Sequence, residues 1–176
     1  DLLALLIGSE GMLAVVTEVT LKLVPRPQTA RVVMASFGDV ERAGAAVAAL
    51  IGAGIIPAGM EMMDRAAIAA VEPFVNAGYD VDAAAILLVE ADGTPDEVAE
   101  EIVAMETLLD TAGATRLQVS RSEAERLRFW AGRKAAFPAV GRISPDYYCM
   151  DGTIPRRQLG PVLMAIQQME VRHGLS

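Results

Sequence analysis

Two hydrophobic periods alternate from residue 29 onward. Residues 31–37 (RVVMASF), 58–63 (AGMEMM), 84–90 (AAILLVE) and 116–119 (RLQV) are short apolar runs, which predicts strands. Between them apolar residues recur every three or four positions. Val40, Ala43, Val47, Leu50 and Ile51 share one face of a helix that Asp39 can cap and that reaches Gly54. Asp64 can cap a shorter helix running through Val71. Thr94-Pro95-Asp96-Glu97 combines an N-cap, a proline at the first helical position and an acidic third residue. Val98, Ile102, Met105, Leu108 and Leu109 follow at helical spacing, and Gly113 stops that helix. Ser122-x-x-Glu125 is a second capping box, opening a helix that carries Leu127, Trp130 and Arg133. Residues 147–153 are predicted as a strand. Pro155 opens a last helix with Leu159, Val162, Leu163, Ile166 and Met169 inward and Gly174 at its end.

The first 28 residues read differently. Residues 1–8 form the end of a helix, Ser9-Glu10-Gly11 a turn, and 13–24 (LAVVTEVTLKLV) a β-branched, largely alternating strand. Pro25-Arg26-Pro27 breaks the pattern and marks the best domain boundary. The order after it is β-α-β-α-β-α-β-α-β-α. A doubly wound parallel sheet fits this order, and so does an α+β sandwich with helices on one face of an antiparallel sheet. Periodicity leaves both open.

Composition narrows the function. The chain has 176 residues, 53% of them hydrophobic, which suffices for one domain with a real core and excludes disorder. Aromatic residues make up only 5%, so aliphatic and methionine side chains fill that core. Met60, Met62 and Met63 crowd one strand, which predicts burial on both of its faces. A net charge of −8 with no basic stripe argues against nucleic acid as a partner. The apolar runs at 1–8 and 83–89 are too short for direct membrane insertion. A single cysteine allows no internal disulfide, and a reducing compartment is the simplest inference. The chain opens on Asp1, without an initiator methionine or a signal-peptide pattern, and reads as a piece of something longer.

The candidate chemistry gathers in 130–157, WAGRKAAFPAVGRISPDYYCMDGTIPRR. This stretch holds the only tryptophan, the only cysteine, Tyr147, Tyr148 and five cations: Arg133, Lys134, Arg142, Arg156 and Arg157. Arginine offers a planar fork of donors that matches a carboxylate, so the cluster predicts a pocket for a small anion. A helix end with solvated charges is the plainer alternative. Asp146 and Asp151 flank the tyrosine pair, placed to act as a base or to pair with Arg142 or Arg156. His173 is the only histidine and falls in the last helical turn, where its role is toward the helix dipole. Gly8-Ser9-Glu10-Gly11 lets backbone approach a ligand, but a short glycine pair is more often a plain turn. Neither a P-loop nor GxGxxG occurs, and no metal site is predicted.

GSEGMLAVVTEVTLKLVPRP resembles the GSEGTLGxVTEVTLKLxPxP signature that ends the FAD-binding domain of flavoenzymes related to vanillyl-alcohol oxidase. MEMMD (60–64), AILLVEADG (85–93) and FWAGRKAAFPAVGRISPDYYCMDGTIPRR (129–157) resemble the FAD-binding D subunits of bacterial glycolate oxidases. The resemblance implies that 1–28 is the remnant of a flavin domain. It implies that 29–176 is the substrate-covering cap: an α+β, ferredoxin-like antiparallel sheet with helices packed on it, incomplete at its C-terminus. Gly8, Ser9, Glu10 and Gly11, with backbone at Val15 and Val16, would line FAD. Arg133 would hold the substrate carboxylate, with Tyr147 and Tyr148 lining the same pocket. Met12, Ala14 and Cys149 depart from the family's Thr, Gly and occasional Lys.

For the parent enzyme the resemblance implies oxidation of a short 2-hydroxy acid such as glycolate, with the base in a histidine-rich motif outside this chain. It also implies partner subunits, including an iron-sulfur subunit, and a cytoplasmic location with membrane association through those partners. The fragment alone is expected to be inactive. A non-catalytic module that binds a small organic acid, or an assembly domain, is the competing expectation.

Overall fold

The computed structural model describes residues 1–174. Strands β1 (Thr29–Phe37), β2 (Gly59–Asp64), β3 (Ala85–Gly93) and β4 (Arg116–Val119) lie where the apolar runs predict them. Helices α1 (Leu2–Leu6), α2 (Val40–Gly52), α3 (Arg65–Val75), α4 (Pro95–Thr111), α5 (Glu123–Ile143) and α6 (Leu159–His173) complete the described chain. The caps form at the predicted residues, but the box expected at Ser122 and Glu125 closes only halfway, since the Glu125 carboxylate accepts from the Arg121 N–H at 2.8 Å instead of the Ser122 N–H. Asp39 accepts from the Glu41 N–H and Asp64 from the Ala67 N–H. Thr94 and Glu97 close a reciprocal capping box, and Ser122 accepts from the Glu125 N–H.

The sheet order is β2-β3-β1-β4, with every neighbouring pair antiparallel. Read from the other edge this is 4-1-3-2, the ferredoxin-like arrangement, which settles the fold class as α+β. Strand β1 reaches β2, and β3 reaches β4, by helical crossovers because each pair is separated by another strand. Crossover helices α2 and α4 cover one face. Val40, Ala43, Val47 and Leu50 of α2 and Val98, Ile102, Met105 and Leu109 of α4 pack there on Val33, Ala35, Phe37, Leu87 and Val89.

The opposite face is also covered, which corrects the one-faced sandwich considered from the sequence. Helix α3, inserted between β2 and β3, and helix α5 lie on Val32, Met34, Met63, Ile86 and Leu88. An alternating strand exposes apolar side chains on both faces here, so a single helical layer leaves half of them in water. Strand β2 shows this directly: Met60 and Met62 pack on one core cluster and Met63 on the other.

Helix α5 is locked down by one tyrosine. The loop after α3 is folded by the Glu72 carboxylate, which accepts backbone N–H groups of Ala77, Gly78 and Tyr79. Tyr79 is thereby driven under α5, only 5% exposed. Its hydroxyl donates to the Phe129 carbonyl and accepts from the Gly132 N–H at 3.0 Å. A Cβ at Gly132 would overlap the Tyr79 ring and hydroxyl, so the glycine is what permits this approach. Burial pushes the Tyr79 hydroxyl up to about 12, against the opposing pull of the Gly132 N–H.

Three expectations change. Residues 13–24 form no strand; Val15 and Leu23 are 82% and 89% exposed. Residues 147–153 likewise form no strand. A β-branched sequence does not make a strand without a neighbour for its backbone, and among the described residues neither segment has one. The last helix buries Gly160 and half-buries Leu159, Val162 and Leu163, whereas Ile166 and Met169 are exposed. It crosses α2 where a Cβ on Gly44 would lie 2.8 Å from the Gly160 nitrogen, and its second half overhangs the crossing. No helix among the described residues is long and apolar enough to cross a membrane.

Two glycines of α5 should respond to alanine with opposite signs in urea unfolding. Gly132→Ala should lower stability by about 1–3 kcal/mol through overpacking against Tyr79. Gly141→Ala, where the added Cβ meets only Tyr147 at 3.9 Å, should raise it by about 0.5–1 kcal/mol. The pH dependence follows from Tyr79. The unfolded phenol ionises near 10 and the folded one near 12, so between these values the native state holds more protons and stability falls as pH rises. The slope should be about 1.4 kcal/mol per pH unit and should be missing from the same titration of Tyr79→Phe.

Candidate functional site

The apolar face under α5 turns polar at one end. Alternation along β3 puts Glu90 on the same side as Ile86 and Leu88, and alternation along β2 puts Glu61 on the same side as Met63. The two strands pair with Gly59 opposite Glu90 and Glu61 opposite Leu88. Two carboxylates therefore stand diagonally across the β2–β3 pair, and α5 meets both.

Helix α5 meets them with three residues spaced about one turn apart. Arg126 Nη1 donates to Glu90 Oε2 at 2.7 Å, while its Nε and Nη2 grip both Glu123 oxygens at 2.7 and 2.8 Å. The Trp130 indole N–H donates to the same Glu90 oxygen at 2.6 Å. Its ring lies over Gly59, where a Cβ would come within 3.2 Å of it. Arg133 Nε donates to Glu61 Oε1 at 2.8 Å, an ion pair that is about half exposed. The partnering carboxylates raise the pKa of both guanidiniums, through hydrogen bonds first and charge second, and Arg126 holds Glu123 below the usual carboxylate range.

The two arginines differ in what remains free. Arg126 uses Nε and both terminal nitrogens on protein carboxylates. Arg133 uses only Nε, and among the described residues Nη1 and Nη2 have no protein partner. A guanidinium held at Nε still presents the paired terminal N–H groups that grip a carboxylate in parallel. The free edge of Arg133 thus has the geometry to take one small carboxylate.

Of the other residues singled out from the sequence, Tyr147 packs on the helix that carries Arg133 and Tyr148 does not. Tyr147 folds back on α5, stacked on Phe137 with ring centroids 6.3 Å apart, and reaches Gly141. Phe137 and Gly141 lie one and two turns beyond Arg133 on α5, so the Tyr147 ring sits on the C-terminal side of Arg133 along that helix. Tyr148 is 88% exposed. The five cations do not converge on one anion pocket. Arg142 sits over the Phe74 ring at 5.2 Å, Arg156 and Arg157 lie in a 3-10 turn before α6, and Lys134 is exposed. Asp146 and Asp151 are exposed and, among the described residues, pair with neither Arg142 nor Arg156. His173 ends α6, capped by Gly174 in the left-handed conformation.

Sequence reasoning missed Glu61, Glu90, Arg126 and Tyr79. For the two carboxylates a signal exists: each interrupts the inward row of an otherwise apolar strand, and a charge there requires a partner.

At the other end of the chain, Gly8, Glu10 and Gly11 all have positive φ, at 79°, 52° and 77°. A Cβ on either glycine would meet nothing within 4 Å, so open space lies beside the turn. A cleft of 360 Å³ adjoins it, lined by Leu5, Ile7, Ser9, Glu10, Met12 and Leu13 together with Gly8. Val15 and Val16 are exposed beyond it.

The fold is an antiparallel ferredoxin-like sheet with a half-exposed arginine on a covering helix, preceded by an exposed glycine turn. Residues 26–176 match the family of FAD linked oxidases, C-terminal domain, and the chain belongs to that family. It is 59% identical over 175 residues to the glycolate oxidase subunit GlcD of Escherichia coli (strain K12), spanning 99% of this chain and 35% of that protein. It is 31% identical over 176 residues to the glycolate oxidase subunit GlcD of Bacillus subtilis (strain 168), spanning 100% and 37%. An alkyldihydroxyacetonephosphate synthase structure shares the fold, with a TM-score of 0.61 at 14% identity over 84% of this chain and 32% of that one. The chain spans about a third of the length of these relatives.

The open turn at 8–11 has room for no more than one edge of a flavin site. The turn at 8–11 offers backbone without obstructing side chains, but the adjoining cleft contains one carboxylate and no cation to receive a pyrophosphate. The 176-residue chain should accordingly not hold FAD at micromolar concentration. Fluorescence titration should show no stoichiometric quenching, and tight saturable binding would contradict the rim assignment.

Proposed function

We propose that this chain is the cap portion of a flavin-dependent 2-hydroxyacid dehydrogenase that oxidises a short substrate such as glycolate to its 2-oxo acid. The observation that carries this reading is the guanidinium of Arg133. It is held at Nε by Glu61 and open at both terminal nitrogens, half exposed on the helix that covers one sheet face of a family member. Arg133 binds the substrate carboxylate with its two free N–H groups and so fixes the orientation of the 2-carbon. Tyr147, stacked on Phe137 of the same helix, borders the approach to Arg133, whereas Tyr148 stays out in solvent and takes no part in the site. Gly8, Ser9, Glu10 and Gly11, with backbone at Val15 and Val16, form the rim against which FAD rests in the parent. When bound, the flavin supplies the hydride acceptor, and this chain's own part is to bind and orient the acid.

No described residue near Arg133 is a free base. Its closest carboxylate, Glu61, is engaged, and the lone histidine ends α6. In this reading the proton of the substrate hydroxyl is taken by a residue outside this chain. The boundary between flavin domain and cap falls at 28/29, where the extended segment gives way to β1. The likeness to a protein named as a glycolate oxidase subunit supports assembly with other subunits. In this reading one of them is an iron-sulfur subunit that carries electrons onward to a quinone. Association with the membrane then runs through those partners from the cytoplasmic side.

In the full-length enzyme, Arg133→Ala should lower kcat/KM for glycolate by about tenfold to a hundredfold, the range of about 1.5–3 kcal/mol for a charged hydrogen bond. Arg133→Lys should recover part of this, because the charge remains while the fork is lost. FAD content should be unchanged in both. An Arg133→Ala enzyme within about twofold of wild type in kcat/KM would remove the pocket assignment.

A further inference from the structure

We infer that Glu61 is a positioning residue for substrate binding: its carboxylate holds Arg133 by Nε so that Nη1 and Nη2 face the substrate as a preset pair. The inference rests on the reading of Arg133 given above and adds the residue that makes its geometry specific.

The sheet supplies the argument. Glu61 is the central residue of its row on β2, between Gly59 and Met63, and it stands opposite Leu88 of β3. Its backbone is therefore fixed by a ladder whose neighbour, β3, is buried in the core. Arg133 sits on α5, whose height above the sheet is fixed by Gly132 resting on the Tyr79 ring, one residue away. The strand and the helix thus meet at this point through an Nε–Oε1 contact of 2.8 Å, with the Trp130 ring over Gly59 beside it. An arginine side chain carries large rotamer freedom, which a free guanidinium loses only when the ligand arrives. Anchoring at Nε removes that freedom beforehand and leaves the terminal edge as the only one open to a carboxylate. Anchoring at a terminal nitrogen would instead break the parallel pair, as Glu90 does to Arg126 one helical stretch earlier.

What the position requires is an acceptor oxygen at that distance, more than a negative charge. The pair is half exposed, so its charge attraction is screened and contributes little to stability. A negative Glu61 also repels an incoming carboxylate. The predicted order therefore separates geometry from charge: alanine loses the anchor, glutamine keeps an acceptor oxygen, and aspartate keeps the charge but draws it back by one methylene.

The test uses the full-length FAD-loaded enzyme. Glycolate kinetics are paired with the dissociation constant of oxalate, a non-reacting dicarboxylate followed through the flavin absorbance. Glu61→Ala and Glu61→Asp should each raise the glycolate KM and the oxalate Kd by about tenfold, the ratio that about 1.4 kcal/mol gives. In both variants kcat should fall by less than about threefold, since binding before chemistry is what is lost. Glu61→Gln should recover at least about half of that loss on a logarithmic scale. Melting temperature and FAD content should stay near wild type throughout, which excludes unfolding as the cause. Glutamine and alanine behaving alike would overturn the anchoring role. So would an unchanged KM and Kd in Glu61→Ala while Arg133→Ala is impaired, leaving the carboxylate reading intact. Arg133→Ala without effect on either quantity would overturn both.

Discussion

The arrangement depends on a phenol lodged beneath a glycine. Tyr79 lies under Gly132 with its hydroxyl tied to two backbone groups of α5, and no larger residue fits at that position in the helix. This fixes both the height of α5 over the sheet and its rotation. Shifting the helix by one residue would turn it by about 100° and carry Arg133 off Glu61. The same contact is itself set from below, because Glu72 folds the loop that delivers Tyr79. A surface arginine is thereby given the positional precision of a core residue.

The covered face is graded from dry to polar. Ile86, Leu88 and Met63 pack under α3 and the later part of α5. Glu90 and Glu61 continue the same rows, and they do not destabilise the face because each is met by a donor from α5. Glu90 is only 14% exposed in its side chain and receives both Arg126 and the Trp130 indole. An unpaired charge there would cost several kcal/mol, so Arg126 and Trp130 serve the fold first. Glu61, at the more open end, needs only one partner, and that economy of contacts leaves Arg133 half unsatisfied. The chemical capacity of the site arises where the structural requirement for pairing weakens.

Much of this was legible in the sequence, for identifiable reasons. The capping residues Asp39, Asp64, Thr94 and Ser122 act within a few residues of themselves, so the helices they start could be placed by reading locally. Strand β3 was legible because its run is apolar on both faces. The strands expected at 13–24 and 147–153 were not realised, since a strand is defined by a partner that a linear reading cannot supply. The covering of both faces was legible in Met60, Met62 and Met63 taken together, yet the choice between parallel and antiparallel order was not, because it depends on which strands become neighbours. At the site, Arg133 stood out through its surroundings in the chain. Glu61 is 72 residues away from it, and Tyr79 lies 53 residues before Gly132, so neither partnership leaves a local trace.

The central claim is that the Nη1 and Nη2 edge of Arg133, preset by α5 and Glu61, is where the parent enzyme holds its acid substrate. The most direct measurement is a crystal structure of the full-length FAD enzyme with oxalate bound. The account predicts one carboxylate of oxalate paired in parallel with Nη1 and Nη2 of Arg133 while Glu61 remains on Nε and Gly132 remains seated on Tyr79. Oxalate bound with Arg133 beyond hydrogen-bond reach, more than about 3.5 Å from any of its oxygens, would contradict it.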